Sequence, residues 1–170
     1  MFGIYYGKAK GKTCVCIGEA LRAAMKDKKV LFASFINDDV LSKKSTFEAF
    51  SNVTEIKVSV DITVSGKKSA ESKALAQKTV SEFFDNAIRM SLTFKYEVLI
   101  LDGVFDALDG GYLIQSEVYE FLSNAPDNIE IICTGVSVDK KFLELSSFAI
   151  NLVDEKKRAD EVLALSEKVE

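Results

Sequence analysis

Histidine is absent from this chain of 170 residues. That gap excludes a Ser-His-Asp triad, a histidine-ligated zinc site and a histidine general base. Chemistry must instead use carboxylates, lysines, hydroxyls, a metal–nucleotide complex or the substrate's own reactivity. Cysteine is scarce: Cys14, Cys16 and Cys133 are too few for a disulfide framework. Cys14 and Cys16 fall on one expected helix, where i and i+2 point in different directions, so they make a poor metal pair. The three thiols are read as buried and structural. No apolar run approaches the length of a membrane span, and the start lacks a charged leader ahead of a hydrophobic segment. The expectation is a cytoplasmic protein with no membrane role. Basic residues are not in excess either. Lysine and arginine number 22 against 26 aspartates and glutamates, a net charge of −4 that argues against nucleic acid as a partner.

What is present fits a soluble globular protein, with 48% hydrophobic residues, enough for a core without covalent staples. Apolar runs predict strands over 30–36, 97–102, 128–134 and 148–153, and the alternation at 55–64 predicts a half-exposed strand. Helical spacing predicts helices over 12–25, 70–92, 116–123, 139–145 and 154–170, with a short one at 45–51 and a helical turn within 103–112. Val15, Ala20, Leu21 and Ala24 are the expected apolar face of the first helix. Leu75, Thr79, Phe83, Ala87 and Met90 are that of the long one, and Val162, Leu163 and Val169 that of the last. Strands alternating with helices imply an α/β three-layer sandwich with a mostly parallel sheet, as one domain over 1–170 with its ligand at the C-terminal strand ends.

The strongest chemical signal lies near the start. An apolar run from Phe2 to Tyr6 leads into Gly7-Lys-Ala-Lys-Gly-Lys-Thr13, which opens the first helix. Glycines let the backbone approach an anion, successive N–H groups can point inward, and a helix N-terminus adds partial positive charge. Lys12 is expected on phosphate oxygens and the Thr13 hydroxyl on a phosphate-bound Mg²⁺. Lys8 and Lys10 are either further phosphate contacts or solvated loop charges. Far along the chain, the strand Glu97–Asp102 ends in an aspartate, the position from which a carboxylate holds Mg²⁺ directly or through water. It can also be a simple turn or cap residue. The common phosphate loop has four residues between its glycines; this one has three.

The shortened interval resembles the G-N-G-K-G-K-T loop of the P-loop-type ATP:corrinoid (cob(I)alamin) adenosyltransferases. The likeness continues through Gly18, Arg22-Ala23, Lys29-Val30 and Phe35-Ile36. Farther on it includes Leu101-Asp102, Ala107-Leu108, Gly111-Tyr112-Leu113, Pro126 and Thr134-Gly135. The resemblance implies a P-loop NTPase-like fold and transfer of the 5′-deoxyadenosyl group of ATP to cob(I)alamin or another corrinoid. In such a reaction Co(I) is the nucleophile and no protein side chain need be. It further implies an ATP site formed by Gly7, Lys8, Ala9, Lys10, Gly11, Lys12, Thr13 and Cys14, with Arg22 near the nucleotide; the alternative for Arg22 is a surface ion pair of the i,i+4 type. Mg²⁺ would lie on Thr13 with Asp102 or Asp106. A homodimer is allowed for. Three features differ from the family pattern. Its acidic residue after the strand aspartate is Gly103 here, the loop 61–69 carries no Phe or Trp, and the C-terminal K-H-P segment is replaced by Asp154-Glu-Lys-Lys-Arg158. The alternatives are a non-catalytic nucleotide-binding relative with a regulatory or scaffolding role, or an ordinary ATPase or kinase.

Overall fold

The computed structural model describes residues 1–36, 47–60, 62 and 70–156. Six strands are described: β1 (Phe2–Tyr6), β2 (Val30–Ser34), β3 (Val53–Lys57), β4 (Val98–Asp102), β5 (Glu130–Gly135) and β6 (Phe148–Asn151). They form one sheet in the order β3-β2-β4-β5-β1-β6, and every pairing is parallel. Among the described residues five helices connect them: α1 (Lys12–Ala24), α2 (Ala70–Thr93), α3 (Val104–Asp109), α4 (Gln115–Ser123) and α5 (Lys140–Leu145).

The strand residues explain the layering. All five residues of β2 and all five of β4 are buried, the pattern of parallel strands covered on both faces. Successive side chains point to opposite faces. Ile4, Leu31, Ala33, Leu99, Leu101, Ile131 and Cys133 join a core with α2 to α5, through Val80, Phe84, Phe105, Val118 and Phe142. Tyr5, Val30, Phe32, Val98, Ile100 and Ile132 face the other way, against Cys16, Ala20 and Ala23 of α1. The α/β sandwich expected from the sequence is present, and among the described residues the sheet is wholly rather than mostly parallel.

Several details differ from expectation. The buried stripe of α2 is Ala76, Val80, Phe84, Ala87 and Ser91, whereas Leu75 is 66% exposed. Ala87 is buried as expected, while Phe83 and Met90 only flank the core. Two stripes one residue apart differ by about 100° around a helix, and the small side chains at 76, 87 and 91 suit the closer approach. On α1 the buried residues are Cys16, Ala20, Ala23 and Ala24, with Val15 and Leu21 half-buried. The third strand begins at Val53 and stops at Lys57, because its partner β2 ends at Ser34, which pairs with Lys57. The remainder of the expected strand runs through bends at 59–60 and then largely outside the described residues. So do most of the loop 61–69, part of the short helix at 45–51, and the last helix beyond residue 156.

Candidate active site at the C-terminal ends of β1, β4 and β5

The loop after β1 owes its shape to two glycines. Gly7 has φ +117°, and a Cβ there would lie 2.3 Å from the carbonyl oxygen of Leu152, just past β6. The Gly7 amide donates to the Val136 carbonyl at 3.1 Å, and the Ala9 amide to that of Leu152 at 3.4 Å. The loop is thereby fastened to the chain beyond β5 and beyond β6. Gly11, at φ +103°, precedes α1 and meets no atom within 4 Å of a built Cβ. Conformation alone requires glycine there. Gly11 has no side chain with which to cap α1, and its first turn has no acidic residue. The first amides of α1 and the positive end of its dipole therefore face an open space with no side-chain cap on them, a setting suited to phosphate.

Lys12 lies over this loop, its Nζ donating to the carbonyls of Gly7 at 2.7 Å and Ala9 at 3.0 Å. Thr13 points the other way. Its hydroxyl donates to Oδ2 of Asp102 at 3.0 Å, joining residues 89 positions apart. Asp102 is fully buried, and its Oδ1 accepts from the Thr134 hydroxyl at 2.7 Å. The Gly103 amide donates to that same Thr134 oxygen at 2.7 Å. Burial pushes the Asp102 carboxyl above the usual range, while the Thr134 and Thr13 hydroxyls oppose the rise. Asp106, in the first turn of α3, accepts from the Val136 amide at 2.8 Å. Burial raises its carboxyl too, opposed by that amide and by the Lys12 charge.

Two open cavities of about 600 Å³ flank the loop. Lys8 lines one, with Tyr6, Asn151 and Asp154. Lys10, Lys12, Thr13, Cys14 and Asp106 line the other, together with Ile36. Val136 borders both. Cys14 is exposed in that second cavity, contrary to its expected burial; only Cys16 and Cys133 are buried thiols, and burial raises both well above their ordinary values. The cause is helical geometry, since Cys14 and Cys16 point in different directions from α1 and only Cys16 meets the sheet.

Gly7 through Cys14, Asp102 and Asp106 therefore converge on one end of the sheet. Arg22 does not join them. It lies in the last turn of α1, ten residues and about 15 Å along the axis from Lys12. It is exposed and paired with Glu19, which also accepts from the Tyr5 hydroxyl. The helix that begins at the loop carries Arg22 away from it within this chain.

The family model for ATP:corrinoid adenosyltransferase BtuR/CobO/CobP matches residues 1–170, the whole chain. The chain belongs to this family. Among curated proteins none matches it. As an ATP:corrinoid adenosyltransferase it transfers the adenosyl group of ATP to a corrinoid. For this adenosyltransferase, three contributors to the site carry little signal in the sequence. Thr134 is a buried hydroxyl, visible beforehand as the end of an apolar strand and as part of the Thr134-Gly135 likeness, with no role attached to it. Val136 contributes its peptide group, to which any residue type would be equivalent. Gly103 reads as a missing acid, yet a Cβ there would fall 2.4 Å from Cγ1 of Ile36, at φ +81°. Two signals pointed toward Thr134: its place in the Thr134-Gly135 likeness, and the rule that ligands gather at the C-terminal ends of parallel strands.

Proposed function

We propose that residues Gly7 to Cys14 form a P-loop that holds the triphosphate of ATP for transfer of its 5′-deoxyadenosyl group to cob(I)alamin or a related corrinoid. The observation that carries this is the bond from Thr13 to Asp102 beside the uncapped start of α1. It joins a helix-opening hydroxyl to a strand-ending carboxylate, as a metal–triphosphate site requires. Lys12 leaves the carbonyls of Gly7 and Ala9 for phosphate oxygens, while Lys8 and Lys10 add charge on either side. The reading treats residues 1–170 as a single nucleotide-binding domain.

The donor set fits Mg²⁺. This ion keeps several waters and takes one or two protein oxygens beside substrate phosphates. Thr13 would supply its hydroxyl oxygen, and Asp102 and Asp106 would receive coordinated waters. Mg²⁺ bound there would neutralise charge on the departing triphosphate. The chain's own residues orient ATP, with the loop amides and Lys12 stabilising the leaving group. Co(I) of the reduced corrinoid forms the bond to C5′, and the C5′–O bond breaks with its electron pair going to triphosphate. No protein base is needed, which suits a chain without histidine.

The reading includes a cytoplasmic location, and it includes no nucleic-acid partner, for which the net charge of −4 is the support. Among the described residues no helix is long and apolar enough to cross a membrane. A homodimer is the oligomeric form to test by sedimentation. The deciding experiment mixes the protein with ATP, Mg²⁺ and chemically reduced cob(I)alamin. Appearance of the adenosylcobalamin spectrum is expected. ATP binding without that spectrum would overturn transfer in favour of a non-catalytic relative, and phosphate release without corrinoid would indicate an ATPase.

A further inference from the structure

The residue that stands out beyond the loop and its carboxylates is Thr134, a fully buried hydroxyl at the C-terminal end of β5. Its strand lies between β1, which leads into the loop, and β4, which ends in Asp102. Three hydrogen bonds connect it to the site. The Gly103 amide donates to its Oγ1 at 2.7 Å, its own proton goes to Oδ1 of Asp102 at 2.7 Å, and Thr13 donates to Oδ2 at 3.0 Å. The directions follow from what each group can do. A backbone amide only donates, so the Thr134 oxygen accepts there and its single proton is free for Asp102. Asp102 then accepts one hydroxyl on each oxygen. With its only proton directed at Oδ2, Thr13 turns lone pairs outward, toward the cavity it shares with Lys12 and Asp106.

We infer that Thr134 is a positioning residue for the nucleotide site, holding the Asp102 carboxylate so that Thr13 presents an acceptor oxygen to a triphosphate-bound divalent cation. The inference rests on the reading of the loop as an ATP site. Thr134 does not itself line the cavity; it acts through Asp102 and through the Gly103 amide, which opens α3 and so helps to place Asp106. Its neighbour Val136 reinforces the arrangement, accepting from the Gly7 amide and donating to Asp106. The end of β5 thereby links the loop to both carboxylates.

The test measures ATP affinity by calorimetry, with Mg²⁺ and with chelator, for the full chain and its variants. In the native protein Mg²⁺ should tighten ATP binding. Thr134→Val keeps the shape and removes the hydroxyl. It should cut the Mg²⁺-dependent gain by about tenfold, the scale of one charge-assisted buried hydrogen bond, and leave affinity in chelator within about threefold. Thr134→Ser restores the hydroxyl and should restore the Mg²⁺ gain. An undiminished Mg²⁺ gain in Thr134→Val would overturn the inference, as would equal losses with and without Mg²⁺ or no rescue by serine. Should the valine variant not fold, Thr134→Cys, a weaker donor of similar size, should lower the gain in the same sense, and an unchanged gain would count against the inference. A native protein whose ATP affinity ignores Mg²⁺ would overturn the metal-bound ATP reading as well. A normal native response with an undisturbed valine variant overturns only the role of Thr134.

Discussion

Gly103 directly follows the strand aspartate Asp102, and the structure makes a side chain there costly. In Gly103→Ala the new Cβ would lie 2.4 Å from Cγ1 and 2.8 Å from Cδ1 of Ile36, with the backbone at φ +81°. The left-handed conformation costs alanine about 1 kcal/mol relative to glycine. Overpacking adds roughly 1–3 kcal/mol, toward the lower end because Ile36 is half-buried and can yield. Loss of chain entropy in the unfolded state offsets about 0.4–1 kcal/mol. The net loss is about 1–2.5 kcal/mol. With an unfolding entropy of about 2.1 cal/mol/K per residue, this lowers Tm by roughly 3–7 °C. Thermal unfolding followed by circular dichroism reads the shift. A companion measurement isolates the contact. In an Ile36→Ala background the same glycine substitution should cost about 1 kcal/mol less, because the side chain it strikes has gone. A Tm drop below about 2 °C, or an equal drop in both backgrounds, would refute the argument. Gly103→Glu should be destabilised at least as much, so an acid at this position cannot simply be restored.

Lys12→Ala should weaken ATP binding by about ten- to a hundredfold, the loss of a charge-assisted phosphate contact; unchanged affinity by calorimetry would contradict the loop reading. Arg22→Ala should leave ATP affinity intact and change stability by less than about 0.5 kcal/mol, since it removes an exposed i,i+3 pair; a large affinity loss would mean that Arg22 reaches nucleotide in another way, for example across a subunit interface. Tyr5 should titrate near 12 rather than 10, raised first by burial and then by its bond to Glu19. Its neutral form is favoured in the folded protein, so its contribution to stability is complete below pH 10 and is lost as pH rises toward 12. Ultraviolet titration should show a late component that disappears in Tyr5→Phe, and a high-pH end of the curve left unchanged by that substitution would refute this.

Local features were legible where a single physical cause acts over a few residues. The continuous apolar runs that became β2 and β4 could be read directly, because parallel strands buried on both faces have no polar side to alternate with. The loop could be read because its glycines satisfy local backbone requirements, positive φ at Gly7 and Gly11. The face of α2 was misread by one residue. Two adjacent stripes carry comparable hydrophobicity, and only the sheet it packs on chooses between them. Arg22 was assigned to the nucleotide through likeness of motif, which carries no information about distance along a helix.

By itself, then, the sequence determined the alternation of elements, the glycine-dependent shape of the loop after β1 and the exclusion of histidine mechanisms. These follow from residue type and short-range spacing alone. The tertiary structure decided which distant groups meet: Thr13 with Asp102, Thr134 with both Asp102 and Gly103, and Val136 with Gly7 and Asp106. It also decided that Gly103 must stay small beneath Ile36. The reason is the strand order. β1, β4 and β5 lie side by side although the chain makes β2 and β3 between the first and second of them. The site exists only once long-range parallel pairing has brought their C-terminal ends together.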